Sequence, residues 1–228
     1  MSSHFTIAVL NPSNPVFPHY SHTHESGIIA IGGNIEPHTL IRAYAEGIFP
    51  WYNDDLPLWW NPNPRFVLFP QELKVSKSMR SYFNNEKFKV TYNSCFEQVI
   101  RECMHIPRKG QGGTWLNEDI VEAFIALSNS GYAHSVEVWN KADQLVGGLY
   151  GLAIGKVFFG ESMFSNESNA SKFGFISLVR KLQSLDIQLI DCQQETKHLA
   201  SLGARSISRI KFMEFIINND HEKLFIKN

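Results

Sequence analysis

Apolar positions in the first half of the chain recur with the spacing of short helices and strands. Segment 12–35 carries three prolines and three glycines and is expected to be a loop. A helix is predicted to begin at Pro37 and to end near Gly47, because apolar side chains follow at helical intervals. The next predicted elements are a strand at 65–69, a helix from its cap Ser76 to Phe83, a strand at 88–92, a helix at 96–103, and a helix capped by Asn117 that ends near Gly131.

The second half of the chain predicts an antiparallel meander followed by helix, strand and helix. The predicted elements are strands at 133–139, 145–154 and 156–160, a loop at 161–168, a helix at 169–185, a strand at 187–192, a helix at 196–202, and a last strand or helix within 207–215. This order predicts an α+β fold with a mostly antiparallel sheet. Proline-interrupted aromatic stretches place a boundary between a small N-terminal domain, residues 1–62, and a main domain, residues 63–228.

Charge is unevenly distributed, although the formal net charge is only −1. That total argues against a strongly basic nucleic-acid-binding domain. Residues 65–89, however, carry six basic and two acidic side chains, whereas residues 90–171 carry five basic and nine acidic ones. The basic block is either a solvated face or a contact for a phosphate backbone. The aromatic content of 13% suggests, beyond core packing, a pocket for an apolar or planar ligand.

The absence of several motifs argues against whole classes of protein. The three cysteines show no C-x-x-C spacing, which argues against disulfides and zinc and favours a reducing cytoplasm. No secretory signal and no apolar stretch long enough to span a membrane is found. The cluster of His19, His22 and His24 is a weak candidate for a metal site in a loop. Nucleotide-binding glycine loops and the G-x-S-x-G hydrolase elbow are absent.

Four segments are dense in aromatic and polar residues. They are Gly-Ile-Phe-Pro-Trp at 47–51, Trp-Trp-Asn-Pro-Asn-Pro-Arg at 59–65, Phe-Phe-Gly-Glu-Ser-Met-Phe-Ser at 158–165 and Leu-Ile-Asp-Cys-Gln at 189–193. With further matches at 114–115, 133–139, 145–151, 169–172 and 198–203, the chain resembles the bacterial leucyl/phenylalanyl-tRNA–protein transferases from about Gly27 to Phe212.

The resemblance implies a fold and an activity. The C-terminal domain would have an acyltransferase fold like that of the N-acetyltransferases. The enzyme would move leucine, phenylalanine or, less readily, methionine from aminoacyl-tRNA to proteins that begin with arginine or lysine, and so mark them for degradation by the N-degron route. It would be a cytoplasmic monomer that uses no metal and no cofactor.

Such a transfer is the aminolysis of an activated ester, and the family motif suggests which residues serve it. An α-amine has an unperturbed pKa of ~7.7–8.0, so positioning rather than a strong base is the main requirement. Asp191 and Gln193 match the acid–amide pair of the motif, and strand alternation places them on one face. Glu161 is expected to hold the amine or the cationic acceptor residue.

The proton path has two readings. In the first, Asp191 polarises Gln193, which takes the proton; in the second, the terminal ribose of the tRNA assists. The alternative role for Asp191 is a structural ion pair or a strand-end cap, and Gln193 is expected to orient the amine because an amide oxygen is a poor base.

The remaining expected site residues fall into three groups. The pocket for the aminoacyl side chain is assigned by the resemblance to Trp51, Trp115, Phe158 and Ile190, with core packing as an equal alternative for Phe158 and Ile190. Contacts with the terminal adenosine and its loop are assigned to Gly160, Ser162, Met163, Asn169 and Ser171, and Asn169 is equally expected to cap the helix that follows it. Contacts with tRNA phosphates are expected from Arg65, Lys74, Lys77, Arg80 and Lys172.

Two other functions stay open from the sequence. One is a coenzyme A-dependent N-acetyltransferase, although no pyrophosphate-binding Q/R-x-x-G-x-G/A loop opens a helix here. The other is a non-catalytic module that binds RNA or peptide.

Overall fold

Two β-sheets, with helices packed on and between them, form the part of the chain that the computed structural model describes, residues 7–52, 56–106, 116–224 and 226. The helices are α1 Pro37–Ala45, α2 Lys77–Asn84, α3 Phe96–His105, α4 Glu118–Asn129, α5 Ala170–Ser184, α6 Lys197–Ser201 and α7 Arg209–Ile217. The strands are β1 Ala8–Leu10, β2 Ile28–Gly32, β3 Phe49–Pro50, β4 Leu58–Trp60, β5 Arg65–Leu68, β6 Lys89–Tyr92, β7 Ala133–Trp139, β8 Leu145–Ile154, β9 Val157–Ser165, β10 Leu189–Gln193 and β11 Arg205–Ile207.

The smaller sheet has the strand order β1-β2-β4-β3. Its strand β2 lies within the segment expected to be a loop, so that prediction is wrong for residues 28–32. Glycines flank this short apolar run, and they concealed it in the sequence. Pairing supplies the reason for its extended form: β2 pairs in parallel with β1 and antiparallel with β4.

The larger sheet has the order β11-β5-β10-β9-β8-β7-β6. Strands β6 to β9 form the predicted antiparallel meander. Helix α5 then crosses over to β10, which pairs in parallel with β9 and antiparallel with β5. The prediction of a mixed, mostly antiparallel fold is confirmed.

Two predicted boundaries in this sheet require correction. Residues 161–165 are strand rather than loop, because β9 continues along β8 as far as the pair of Ser165 with Gly147. The undecided segment 207–215 contains the end of β11 and then α7, whose first turn is capped by the Ser208 side chain. Other caps agree with the sequence, since Ser76 and Asn117 accept hydrogen bonds from the third backbone N–H that follows each of them.

The core is continuous across the predicted domain boundary at residue 62. One cluster of buried apolar residues joins Leu40, Tyr44 and Phe49 to Phe159 and Phe212. A second cluster fills the space between the larger sheet and α5. The N-terminal segment, by which we mean the described residues up to 62, therefore packs against the larger sheet and α7. The domain boundary itself stays a prediction.

Gly47 packs closely against α7. Its φ is +73°, and a Cβ there would lie 2.9 Å from Phe212 Cε1 and 3.0 Å from Met213 Sδ. We expect Gly47→Ala to lower the free energy of unfolding by about 1–2 kcal/mol through left-handed strain, plus about 1–3 kcal/mol through overpacking. Urea unfolding measures both contributions together.

Gly32→Ala separates the two contributions. Gly32 has a φ of +81°, but its nearest neighbour to an added Cβ, the Leu10 carbonyl oxygen, is 3.3 Å away. This variant should show mainly the strain. Equal losses in the two variants would contradict the close packing of Gly47 against α7.

Candidate active site

A cavity of about 430 Å³ lies where the N-terminal segment, β8, β9, β10, α5 and α6 meet. It brings together many of the residues that the sequence singled out. The expected residues that line it are Trp51, Gly160, Glu161, Ser162, Met163, Ser171, Ile190, Asp191 and Gln193.

Irregular pairing in two strands builds the polar end of this cavity. In β9, Gly160 and Ser162 pair with successive residues of β8, so Glu161 is an extra residue without a cross-strand partner. In β10, Cys192 is similarly extra between Asp191 and Gln193. Such bulges redirect side chains and often lie beside active sites. The parallel pairing of β9 with β10 extends to Asp191 and Phe159, and the cavity begins there.

A bidentate ion pair between Arg65 and Asp191 lies behind the cavity. Arg65 Nε is 2.8 Å from Asp191 Oδ1, and Nη2 is 2.6 Å from Oδ2. Both side chains are 0% exposed. The register explains the pairing: Asp191 faces Val67 across β5, and Arg65, two residues before Val67, shares its face of the strand.

Arg65 therefore does not belong to a tRNA-contacting surface, and that expectation is wrong. Its guanidinium lies over two buried rings, 4.6 Å from the centroid of Phe49 and 4.4 Å from that of Phe212. A phosphate has no access to a cation that is enclosed in this way. Asp191 forms a structural ion pair, which is the alternative role expected for it from the sequence.

Gln193 has a left-handed backbone, with φ +62°. Its N–H donates to Asp191 Oδ1 at 2.9 Å, whereas its side-chain Nε2 donates to Glu161 Oε1 at 2.8 Å. The alternation that places Asp191 and Gln193 on one face assumes a regular strand, and the bulge at Cys192 breaks it. Asp191 thus contacts the main chain of Gln193, while the amide group of its side chain contacts Glu161.

Glu161 is the second carboxylate at this end of the cavity, beside Tyr44 and Gln193. Its Oε2 is buried, as is the neighbouring Tyr44 hydroxyl. Burial raises the pKa of Glu161 to about 8. Tyr44 opposes this rise most strongly by hydrogen bonding to the carboxyl, the charge of Asp191 adds to it, and Gln193 and Arg65 oppose it more weakly. Burial and the neighbouring Glu161 raise the pKa of Tyr44 as well.

The apolar wall of the cavity differs in part from the expected set. Trp51 and Ile190 line it. Phe158 is 1% exposed, belongs to the core cluster beneath α5, and does not line the cavity. Its ring occupies the space over Gly151 instead. Trp115 lies outside the described residues.

Of the residues expected to contact the adenosine and the tRNA, some line the cavity and others lie outside it. Asn169 lies outside the cavity lining; its φ is +67°, its side chain does not cap α5, and its Nδ2 donates to the Tyr82 hydroxyl at 3.3 Å. Lys172 follows Ser171 in the first turn of α5, near His198. Lys74, Lys77 and Arg80 are exposed on α2 and the segment before it.

Sequence reasoning missed several residues at the site. The cavity is also lined by Phe49, Leu149, Phe175, Thr196, His198 and Leu199. Burial, and then the charge of Lys172, lower the pKa of His198, whose Nε2 is buried without a partner. Tyr44 was missed because its helical spacing in α1 is that of an ordinary core residue. His198 lies within a motif of the resemblance, and that was the available signal.

The cysteine and histidine side chains give little support for a thiol nucleophile or a metal site. Burial raises the pKa of the Cys192 thiol, which therefore stays protonated at neutral pH. His19 and His24 each bond through Nδ1 to the serine two residues later. No group of three or more metal-ligating side chains is found within the described ranges. Nor does any helix in those ranges have the length and apolar character to cross a membrane.

Comparison with known families and proteins identifies the class. The model of the family "Leucyl/phenylalanyl-tRNA protein transferase" matches residues 67–217, and the model of its N-terminal domain matches residues 33–63. A relative from Christiangramia forsetii, named leucyl/phenylalanyl-tRNA–protein transferase, is 52% identical over 91% of this chain and 99% of its own. The relative of the same name from Flavobacterium johnsoniae is 51% identical over 88% of this chain and 94% of its own.

A third relative, from Hydrogenovibrio crunogenus, has the same name and is 49% identical over 92% of this chain and 82% of its own. These matches define an aminoacyltransferase. The chain belongs to the leucyl/phenylalanyl-tRNA protein transferase family. Among solved structures, L-PGS from Bacillus licheniformis aligns with a TM-score of 0.41 and 11% identity, over 63% of this chain and 46% of that one, which is too distant to bear on function.

The raised pKa of Glu161 has a consequence for stability. Its carboxyl stays protonated in the folded state up to about pH 8, whereas in the unfolded chain it ionises near its ordinary value of ~4.3. The folded state thus binds more protons between these pH values, so this group's contribution to stability is lost as pH rises through that window.

Glu161→Gln removes that dependence. We expect the free energy of unfolding of the variant, relative to the unsubstituted chain, to increase from pH 5 to pH 8, with a slope of at most ~1.4 kcal/mol per pH unit. Urea unfolding at several pH values measures it. Parallel stability curves for the two proteins would show that Glu161 titrates normally.

Proposed function

We propose that this chain transfers leucine or phenylalanine, and less readily methionine, from aminoacyl-tRNA to the N-terminal arginine or lysine of acceptor proteins. Transfer would mark the acceptor for degradation by the N-degron route. Family membership supports this function. The observation that carries it is a single cavity in which the apolar wall at Trp51 and Ile190 adjoins the paired polar groups of Glu161 and Gln193.

The reaction needs positioning more than strong acid–base chemistry. The neutral α-amine attacks the ester carbonyl carbon, a C–N bond forms, the bond to the ribose 3′ oxygen breaks, and the amine proton passes on to that oxygen. Alignment of amine and ester in a closed cavity supplies much of the acceleration. Stabilisation of the tetrahedral oxyanion and movement of the proton supply the rest.

We assign the amine to the Glu161–Gln193 end of the cavity. The Gln193 amide donates through Nε2 to Glu161, which leaves its oxygen to accept a hydrogen bond from the amine. Both oxygens of Asp191 are taken up by Arg65 and by the Gln193 N–H. The contacts therefore favour the ribose of the substrate, or the ionised fraction of Glu161, over an Asp191–Gln193 relay for the proton.

The transferred side chain would occupy the apolar wall, with Trp51 and Ile190 as its surfaces and Trp115 as a further one from the resemblance. The Trp51 ring lies 5.5 Å from that of Trp60, whose Nε1 donates to the Trp51 carbonyl oxygen at 2.7 Å. A pocket of this kind discriminates by size, and one methylene is worth only ~1–3 kcal/mol. We therefore expect the pocket to accept several unbranched or γ-branched apolar side chains.

The fold proposal goes with the function. We infer that residues 63–228 form a domain like that of the N-acetyltransferases, preceded by a small domain over residues 1–62. The antiparallel meander, the crossing helix α5 and the parallel strand β10 support this inference. We also place the enzyme in the cytoplasm as a monomer.

For tRNA, we propose a surface of Lys74, Lys77 and Arg80, with Lys172 beside the cavity at the start of α5. The first three side chains are exposed. Ser81, Asn84 and Asn85 are uncharged positions on the rest of α2 and just after it, so the patch is small. Contacts with the single-stranded 3′ end would then contribute a large share of binding.

A direct assay tests the proposed function. Purified protein should move labelled leucine from leucyl-tRNA to a peptide that begins with arginine, and the same peptide with an acetylated N-terminus should receive none. Acetyl-CoA in place of leucyl-tRNA distinguishes the N-acetyltransferase alternative by acetylation of the free peptide. No leucine transfer while the tRNA stays charged would refute the proposal, and tRNA binding without transfer would favour a non-catalytic module.

The tRNA surface is tested through salt. In the double variant Lys77→Gln/Arg80→Gln, the slope of log affinity for leucyl-tRNA against log salt should decrease by roughly 0.7–0.9 per lost phosphate contact. The matched control, Lys156→Gln/Lys211→Gln, removes two charges from a groove lined by β8–β9 turn and α7 residues. Equal slopes in the two double variants would place the tRNA elsewhere.

A further inference from the structure

Arg65 is a fully buried cation that does not line the cavity, and no step of the transfer uses it. We propose that Arg65 is a positioning residue: through Asp191 it fixes the backbone of Gln193, and thereby holds the Gln193 side chain against Glu161. This inference rests on the proposed function for its kinetic consequence. Its structural part concerns the enzyme without substrate.

Four contacts hold the Arg65 guanidinium. Two of its nitrogens bond to the two oxygens of Asp191, and its Cζ lies over the rings of Phe49 and Phe212. Lysine has the same charge but cannot form the planar two-point contact or stack on the rings in this way. The orientation of Asp191, rather than its charge alone, thus depends on arginine.

Asp191 passes this orientation on to Gln193. Its Oδ1 accepts from both Arg65 Nε and the Gln193 N–H, at 2.8 and 2.9 Å. A left-handed backbone is unfavourable for glutamine, because its Cβ then lies too close to the following carbonyl oxygen. The hydrogen bond to a fixed carboxylate stabilises that conformation at the bulge of β10.

Gln193 in turn sets the position of Glu161. With its backbone fixed, its Nε2 reaches Glu161 Oε1 at 2.8 Å, and this bond lowers the pKa of Glu161 against the stronger effect of burial. Loss of the Arg65 fork should release Gln193 and weaken this bond. Arg65 then influences the amine-binding end of the cavity without contacting it.

The same residue joins the two ends of the site. Phe49, one of the two rings beneath the guanidinium, belongs to the N-terminal segment that also supplies Trp51 to the apolar wall. Phe212 lies on α7. A buried ion pair is often no more stabilising than apolar residues of similar volume, so its orientation is the better explanation for its presence here.

Arg65→Lys tests the proposal, and the chain offers a matched control. Arg205 forms the same two-point contact with Glu72, at 2.9 and 3.0 Å, and lies 4.6 Å from the Phe69 ring centroid, but it is half-exposed at the sheet edge. Arg205→Lys therefore makes the same chemical change away from the cavity.

We expect Arg65→Lys to lower kcat for leucine transfer by about tenfold to a hundredfold, with little change in KM for leucyl-tRNA or peptide. Arg205→Lys should match the unsubstituted enzyme. An unchanged kcat in Arg65→Lys, or a loss confined to KM, would overturn the positioning role while leaving the proposed function intact.

A second measurement needs no activity. In protein labelled with ¹³C at glutamate carboxyl groups, NMR titration should show Glu161 ionising at higher pH in Arg65→Lys than in the unsubstituted chain, and unchanged in Arg205→Lys. An unshifted Glu161 in Arg65→Lys would overturn the proposal even if no transfer were detected. Circular dichroism and urea unfolding establish that each variant is folded.

If Arg65→Lys does not fold, the variant Phe212→Leu tests the positioning role of Arg65 instead. It removes one ring from Arg65 but keeps the ion pair and every residue that lines the cavity. Its control is Phe69→Leu, which removes the ring beside Arg205. A lower kcat and a raised Glu161 titration in Phe212→Leu alone would support the proposal, and equal behaviour of the two variants would overturn it.

Discussion

The buried ion pair of Arg65 and Asp191 is the interaction on which the geometry of the site depends. Each charge is fully enclosed, so each is stable only in the presence of the other. The pair ties β5 to β10, and the rings over Arg65 bring in the N-terminal segment and α7. This contact thus joins parts of the chain more than a hundred residues apart beside the cavity.

Around this pair, departures from regular pairing create the reactive surface. A regular ladder between β8 and β9 would give Glu161 a cross-strand partner, and a regular β10 would place Gln193 by simple alternation. The bulges turn both side chains toward each other instead. Burial then raises the pKa of Glu161 to about 8, so its carboxyl is mostly protonated at neutral pH.

Much of the fold was predictable because local sequence patterns determine it. The caps at Ser76 and Asn117, the meander and the order of helix and strand after it depend on neighbours in sequence. The short strand β2 and the end of β9 were missed because their extended form comes from pairing with distant segments. The motifs also located Glu161, Asp191 and Gln193 at the site, but not their contacts.

The sequence by itself determined the family, the meander and several of the residues that line the cavity, since these follow from motifs and periodicity. Only the tertiary structure decided that Arg65 faces inward to Asp191, that Phe158 is core, and that Gln193 bonds to Glu161. The physical reason is that a side chain's charge or ring specifies what it can bind, whereas burial and strand register specify what it meets.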